Sequence, residues 1–285
     1  MKKFLKIVLW TVLILVVLIG SAMGLFIYKV KNGFPVSYET DVPNISFPDK
    51  QPAVLLFSKT TGFRHGESID ASKPVIAELA KRNGWFLYET EAGGVFNAAQ
   101  LAKFSVVIFN NSTGRVLSDE QKAAFETYIK NGGSFIGIHG TGDFSHHWEW
   151  YENKLVGAQF SHHPIVPPVQ TTSLTLQPVA DSILANQLAP QFTHTDEWYV
   201  FFENPSKNGC KIIYTIDDAG INTSGNMLWM KDKNFGMGKD HPVAWYNTIE
   251  KGKTFYTSIG HDSSAWKNEN FLKLIENAVK WGIIK

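Results

Sequence analysis

Between Lys6 and Lys29 the chain carries no charge, and the run from Ile7 to Tyr28 is dominated by Ile, Leu, Val, Met, Phe and Trp. As a helix rising about 1.5 Å per residue, the run covers roughly 33 Å, enough for a hydrocarbon core of about 30 Å. That feature divides the chain into a single-pass transmembrane anchor, residues 1–28, and everything after it. Lys2, Lys3 and Lys6 precede the run, and Lys29 and Lys31 follow it. The bias is small, but with the free amino group it favours an inside N-terminus.

A cleaved signal peptide is the competing reading, because Gly20-Ser21-Ala22 and Ala22-Met23-Gly24 offer small residues at cleavage spacing. Against it, the apolar run continues through Leu25, Phe26, Ile27 and Tyr28, longer than a usual signal core. A lipoprotein is excluded, since the sole cysteine is Cys210. Either surviving reading exports the rest, so the expected location is a membrane-anchored domain in the periplasm or outside the cell. A single thiol also rules out an intrachain disulfide, leaving stability to an ordinary core. Net charge is +1 with no basic run after Lys31, which argues against a nucleic-acid partner.

Residues 29–52 hold Pro35, Pro43, Pro48 and Pro52 among polar residues, without helical periodicity, and read as a tether. From Ala53 onward short apolar runs alternate with amphipathic stretches. Strands are expected at Ala53–Phe57, Trp85–Glu89, Val106–Phe109 and Ser134–Ile138. Helices are expected from about Ile69 to Arg82 and after Ser118, where Gln121 completes a capping box. The second half is richer in strands, at Gln170–Leu176, Lys211–Ile216, Val243–Asn247 and Thr254–Ile259, and a helix from about Asn270 to Trp281 follows. This is an α/β pattern: a doubly wound, mostly parallel sheet with added antiparallel strands, forming one domain over residues 53–285.

In such sheets the working crevice lies beyond the carboxyl ends of the strands. Three imidazoles fall there beside glycines: His65 in Gly62-Phe63-Arg64-His65-Gly66, His139 in Gly137-Ile138-His139-Gly140, and His261 in Gly260-His261-Asp262. A strand followed by G-x-nucleophile-x-G makes an elbow that lifts one side chain above the sheet, and here that side chain is His139. Imidazole serves as a general base or metal ligand, not as the nucleophile of an ordinary esterase or amidase. A second cluster holds Trp148-Glu149-Trp150-Tyr151, which starts a helix, then His162-His163, His194-Thr195-Asp196-Glu197-Trp198-Tyr199 and Asp240-His241 through Trp245. In extended chain the two members of His162-His163, and of Asp196-Glu197, point apart, so one of each pair is expected to face the site. No zinc motif of recognised spacing, dinucleotide fingerprint or P-loop occurs.

Taken in order, these segments resemble the ThuA-like family, named for trehalose utilisation. The resemblance rests on Gly62–His65, Gly137–Gly140 with Asp143, Trp150-Tyr151 leading to Leu155-Val156-Gly157, Phe160–Pro164, Asp196–Tyr199, Asp240–Trp245 and Phe255–Asp262. It implies a class I glutamine amidotransferase-like, flavodoxin-like fold over about residues 53 to 284. It also implies that His139 stands where amidotransferases keep a catalytic Cys, and that His261 is placed like their triad His. Without a thiol at the elbow, glutaminase activity is not expected. The family's association with sugar and keto-disaccharide catabolism implies a small-molecule carbohydrate as substrate.

The leading expectation is an enzyme acting on a sugar or keto-glycoside, as an isomerase, lyase or hydrolase. His139, His261, Asp143 and Glu197 would be catalytic. His65, Arg64, His163, His241 and Asp262 would line the pocket, with Trp148, Trp198 and Trp245 as stacking platforms. A divalent metal such as zinc, held by His139 and His261, is the one cofactor the residues leave open. The alternative is a non-catalytic carbohydrate-binding module at the membrane, in which Trp rather than His residues carry binding.

Overall fold

A computed structural model describes residues 2–32, 36–179, 181–228 and 230–284. The chain forms two compact units, one ending at Ser37 and one beginning at Tyr38. The first is helix α1 (Lys2–Asn32), whose stretch Lys2–Tyr28 is long and apolar enough to cross a membrane. That property is shared by anchors and signal sequences. Pro35 of the expected tether lies outside the described residues.

The second unit starts well before the 52/53 junction expected from the prolines. Residues 38–52 are strapped to the domain by their own side chains. Phe47 packs edge-on against Phe86 and Phe104, at 5.7 and 5.1 Å between ring centroids. Glu39 pairs with Lys59 and accepts the Gly93 amide, while Gln121 Nε2 donates to the Glu39 carbonyl and Gln100 Nε2 to that of Pro43. Composition reads this stretch as a linker, but buried aromatic area is enough to hold an extended segment in place.

The elements then run β1 (Ala53–Phe57), α2 (Gly66–Asn83), β2 (Phe86–Thr90), α3 (Ala98–Leu101), β3 (Val106–Asn110), α4 (Asp119–Lys130), β4 (Ser134–Ile138) and β5 (Phe160–His162). They continue with β6 (Gln170–Leu176), β7 (Gln191–Asp196), β8 (Val200–Phe201), β9 (Lys211–Ile216), β10 (His241–Ile249), β11 (Gly252–Thr257) and α5 (Glu269–Ile283). Nine strands form one sheet in the order β2-β1-β3-β4-β11-β10-β9-β6-β7, and β5 pairs with β8 separately. From β2 to β11 neighbours are parallel; from β11 to β7 they are antiparallel.

Side chains alternate across the parallel strands and so feed two cores. Val54, Leu56, Val106 and Ile108 meet Phe271, Leu274 and Ala278 of α5 on one face. Leu55, Phe57, Val107 and Phe109 meet Phe125 and Ile129 of α4 on the other. Helix α4 begins with the expected capping box: Ser118 Oγ accepts the Gln121 amide and Gln121 Oε1 accepts the Ser118 amide.

One feature of the register positions the site. Strand β6 pairs with β9 only through Leu174–Leu176, whereas its pairing with β7 spans Gln170–Thr175. The β6–β7 ribbon therefore overhangs the end of β9, carrying Asp196 and Glu197 beyond the sheet. The edge strand β7 was not among the expected strands.

Candidate active site

The crevice floor is a buried polar layer at the strand ends. Asn111, just past β3, is its tie: Nδ2 donates to Ser68 Oγ at 3.0 Å and to the Gly260 carbonyl at 3.2 Å, and Oδ1 accepts the Gly140 amide at 3.1 Å. This fixes the turn after β4 against the turn after β11.

His139 projects from that first turn with φ +45, a left-handed backbone that non-glycine residues seldom adopt. Its ring is fully buried. Nδ1 lies 2.7 Å from the Ser258 carbonyl, which can only accept, so Nδ1 carries the proton and Nε2 offers a lone pair in the neutral ring. Tyr256 OH donates to the His139 carbonyl at 2.9 Å, and the Tyr199 ring packs 4.4 Å away between centroids. The next residue has to be glycine, because a Cβ on Gly140 would lie 2.8 Å from His65 Nδ1. His65 sits buried at the start of α2, with its ring 4.8 Å from that of His139 and 5.2 Å from that of His261, and its Nδ1 has no hydrogen-bond partner. Burial, together with His139 and His261, pushes its imidazole down to about 2.

His261 follows Gly260, whose φ of +123 suits glycine alone. The overhanging Asp196 holds this turn: its carboxylate accepts the Gly260 amide at 2.8 Å and the His261 amide at 3.1 Å. It also takes His194 Nε2 at 3.1 Å, and His194 Nδ1 meets Asn268, the N-cap of α5.

Glu197 is the centre of the cluster. Its Oε2 lies 3.6 Å from His139 Nε2 and 3.4 Å from His261 Nδ1, while Oε1 lies 3.1 Å from His163 Nδ1. His261 Nδ1 is also 3.2 Å from His139 Nε2. Burial alone would raise the Glu197 carboxyl, but His139 and His261 beside it hold it well below the usual carboxylate range. Burial would likewise lower His261, yet the bond to Glu197 and its charge raise it.

Asp143 behaves oppositely. Burial pushes its carboxyl up to about 6, although the Ser145 hydroxyl and amide both donate to Oδ1.

The remaining expected site residues are engaged elsewhere. Arg64 is exposed and clamps Glu91 at 2.8 and 3.1 Å. His241 is buried, with Nε2 on the Tyr199 carbonyl and Nδ1 3.4 Å from Asp218. Asp262 caps its own turn through the Ser264 amide and hydroxyl. Trp198 and Trp245 are core residues whose Nε1 atoms donate to the Gln170 and Val156 carbonyls, so neither presents a stacking face. Trp148 packs on Tyr151 and Phe125 and donates to Glu126 on α4. The exposed rings beside the cluster are instead phenylalanines. Phe63 stands edge-on to His65, and Phe144 stacks on Phe160, which in turn contacts Tyr199. Of the His162-His163 pair, His163 reaches Glu197, while His162 Nε2 bonds the Thr223 carbonyl. Both members of Asp196-Glu197 serve the site, one through backbone amides and one through imidazoles. Asn111 and the Ser258 carbonyl carry no sequence signal beyond their place at strand ends.

The profile of the ThuA family, described as trehalose utilisation, matches residues 53–282. The chain belongs to the ThuA family. Among solved structures, a ThuA-like protein from Bacteroides uniformis shares the fold with a TM-score of 0.69 at 20% identity, covering 89% of this chain and 96% of that one. A ThuA-like protein from Parabacteroides merdae gives 0.63 at 15% identity, covering 82% and 91%. The exo-β-1,4-mannosidase Op5Man5 from an Opitutaceae bacterium gives 0.50 at 11% identity, and the match spans 83% of this chain but 36% of the mannosidase. No curated protein matches the sequence.

Proposed function

We propose that this ThuA domain is an enzyme of carbohydrate catabolism that acts on a sugar or keto-glycoside by His/carboxylate acid–base chemistry. The observation that carries the reading is the triangle of His139 Nε2, His261 Nδ1 and Glu197 Oε2, with edges of 3.2, 3.4 and 3.6 Å. Several titratable groups are turned toward one another at the strand ends, where α/β sheets bind ligands. Carboxylates pushed in opposite directions divide acid from base. Glu197 stays ionised, whereas Asp143, at about 6, carries a proton for part of the time near neutral pH. Isomerisation, elimination and hydrolysis of a keto-glycoside all move a proton next to a carbonyl, and such a pair suits each of them.

Glutaminase chemistry does not fit. His139 occupies the elbow, and the one thiol, Cys210, is buried and pushed up to about 11 by burial, far from thiolate character. Sugar rings would stack on Phe63 and Phe144 at the rim. The apolar stretch of α1 supports an anchor that holds the domain outside the cytoplasm, with the N-terminus inside. The full chain, purified in detergent, is to be screened against keto-glycosides and their parent sugars. Turnover that falls at least about 100-fold in His139→Ala supports the reading, and full turnover by that variant overturns it.

A further inference from the structure

We infer that His65, His139, Glu197 and His261 form a site for one divalent transition-metal ion, with zinc as the expected occupant. The inference deepens the proposed function by naming a cofactor at the same centre, and it rests on that reading only for what the ion would do there.

Donor spacing is the first support. Four ligands about 2.1 Å from zinc in a tetrahedron lie about 3.4 Å from one another. His139 Nε2, His261 Nδ1 and Glu197 Oε2 already stand 3.2, 3.4 and 3.6 Å apart. A ring nitrogen of His65 completes a set whose atoms all lie within 4.8 Å of one another.

Proton counting is the second. With Nδ1 donating to the Ser258 carbonyl, the other ring nitrogen of His139 is turned toward a carboxylate oxygen 3.6 Å away, and in the uncharged tautomer it presents a lone pair there. Two acceptors facing each other in a buried crevice repel unless a cation stands between them. His261 offers one proton to both. A metal ion would satisfy both acceptors at once and use the lone pair of His261 as well. Buried His65 adds a further unpartnered nitrogen, and Gly140 supplies the space that lets its ring approach.

The surroundings are those of a held ligand set. Metal-bound imidazoles usually donate their second nitrogen to a carbonyl or carboxylate, as His139 does to Ser258. The backbone that carries His261 is pinned by Asp196. Three imidazoles and one carboxylate, without thiolate, suit zinc and its first-row neighbours; magnesium and calcium prefer all-oxygen shells. In the loaded enzyme the ion would polarise a substrate carbonyl oxygen, leaving proton transfer to Asp143 and His163 at the edge of the cluster.

The test uses the full chain in detergent, stripped with a chelator and then titrated with zinc, manganese or magnesium chloride. Metal content is read by elemental analysis and affinity by competition with a chromophoric chelator. One zinc per chain is expected, with magnesium failing to compete, and with at least about 100-fold weaker binding in His139→Ala and Glu197→Gln. His65→Ala should bind about 10–100-fold more weakly, and cobalt(II) loaded in place of zinc should show an intense tetrahedral visible spectrum that His65→Ala alters. Far-UV circular dichroism melts show whether each variant is folded. The cobalt spectrum of the wild-type chain tests the site even if a variant is not. Less than stoichiometric zinc on the wild type, or equal binding by folded variants, overturns the site. Turnover that survives stripping also overturns it while leaving the proposed reaction standing. Stoichiometric zinc without turnover of any keto-glycoside does the reverse.

Discussion

Three of the four imidazoles at the cluster sit at strand-end junctions in the parallel half of the sheet: His65 at the start of α2 after β1, His139 on the turn after β4, and His261 just past β11; the fourth, His163, follows β5 of the separate strand pair. In the antiparallel half the contribution is carboxylate, Asp196 and Glu197, and it arrives by a different route. The β6–β7 ribbon runs past the end of β9 and reaches over the crevice. Parallel strands joined by helices place their carboxyl ends on one edge, so topology alone gathers their junction residues there. An overhang depends on register, a property of pairing rather than of motif. The imidazoles are therefore properties of a fold class, and the carboxylates of this particular sheet extension.

The comparison breaks most sharply at Glu197. Glu197→Gln keeps the shape and the overhang but removes the charge that His139, His163 and His261 converge upon. Turnover of a keto-glycoside should fall about 1,000-fold, with the thermal midpoint nearly unchanged. A loss below tenfold would mean that the parallel half suffices by itself.

Asp196 asks whether the overhang acts through position. It meets none of the triangle's three side-chain atoms; it holds the amides of Gly260 and His261. Asp196→Asn retains one acceptor for those two donors, so His261 should lose its set orientation and turnover should fall about 10–100-fold. Because the residue acts through another, kcat should drop while KM moves little. A pure stability defect would instead lower the folded fraction and leave the remaining enzyme with native constants.

What is legible in the sequence follows that division only in part, since the antiparallel strands β6 and β9 are expected with the bounds they take. Strands β1, β3 and β4 and helices α2, α4 and α5 appear from apolar runs, caps and glycines, because each is stabilised largely by its own pattern and by one face of the sheet. The three strand-end histidines stood out by position. Strand β7 did not, since Thr193, His194 and Thr195 lack the hydrophobic run of a central strand, and an edge strand needs none. The proposed Trp platforms failed for a related reason: Trp198 and Trp245 look like stacking residues in sequence, but their indole nitrogens find carbonyl partners inside the core. Asn111 has the shortest signal and one of the widest reaches, tying three segments through one amide.

A smaller effect sharpens the comparison through pH. Burial raises Asp143 to about 6, above the ordinary carboxyl near 3.9, so its folded form holds a proton that the unfolded form has lost in between. Stability contributed by the neutral carboxyl is present below about 4 and is lost as pH rises through about 6. If Asp143 is the acid of the reaction, the rate declines over the same rise, by about tenfold per unit above about 6. Asp143→Asn should remove that limb of the pH–rate profile and leave any limb due to the imidazoles. An unaltered profile in Asp143→Asn would return the acid's role to the histidines.

The smallest change tests whether the parallel half is independent of the crevice. Ser118 caps α4, whose buried residues Phe125 and Ile129 serve the core on the face opposite α5. Ser118→Ala removes the oxygen that accepts the Gln121 amide and releases the reciprocal Gln121 contact to the backbone. The cost should be about 1 kcal/mol, read as a lowered urea midpoint with unchanged slope. Turnover per folded molecule should stay at the wild-type level, because the cluster His65, His139, Glu197 and His261 includes no residue of α4. A loss of turnover beyond the folded fraction would show that the scaffold and the crevice are coupled, and that the imidazoles depend on more than strand order.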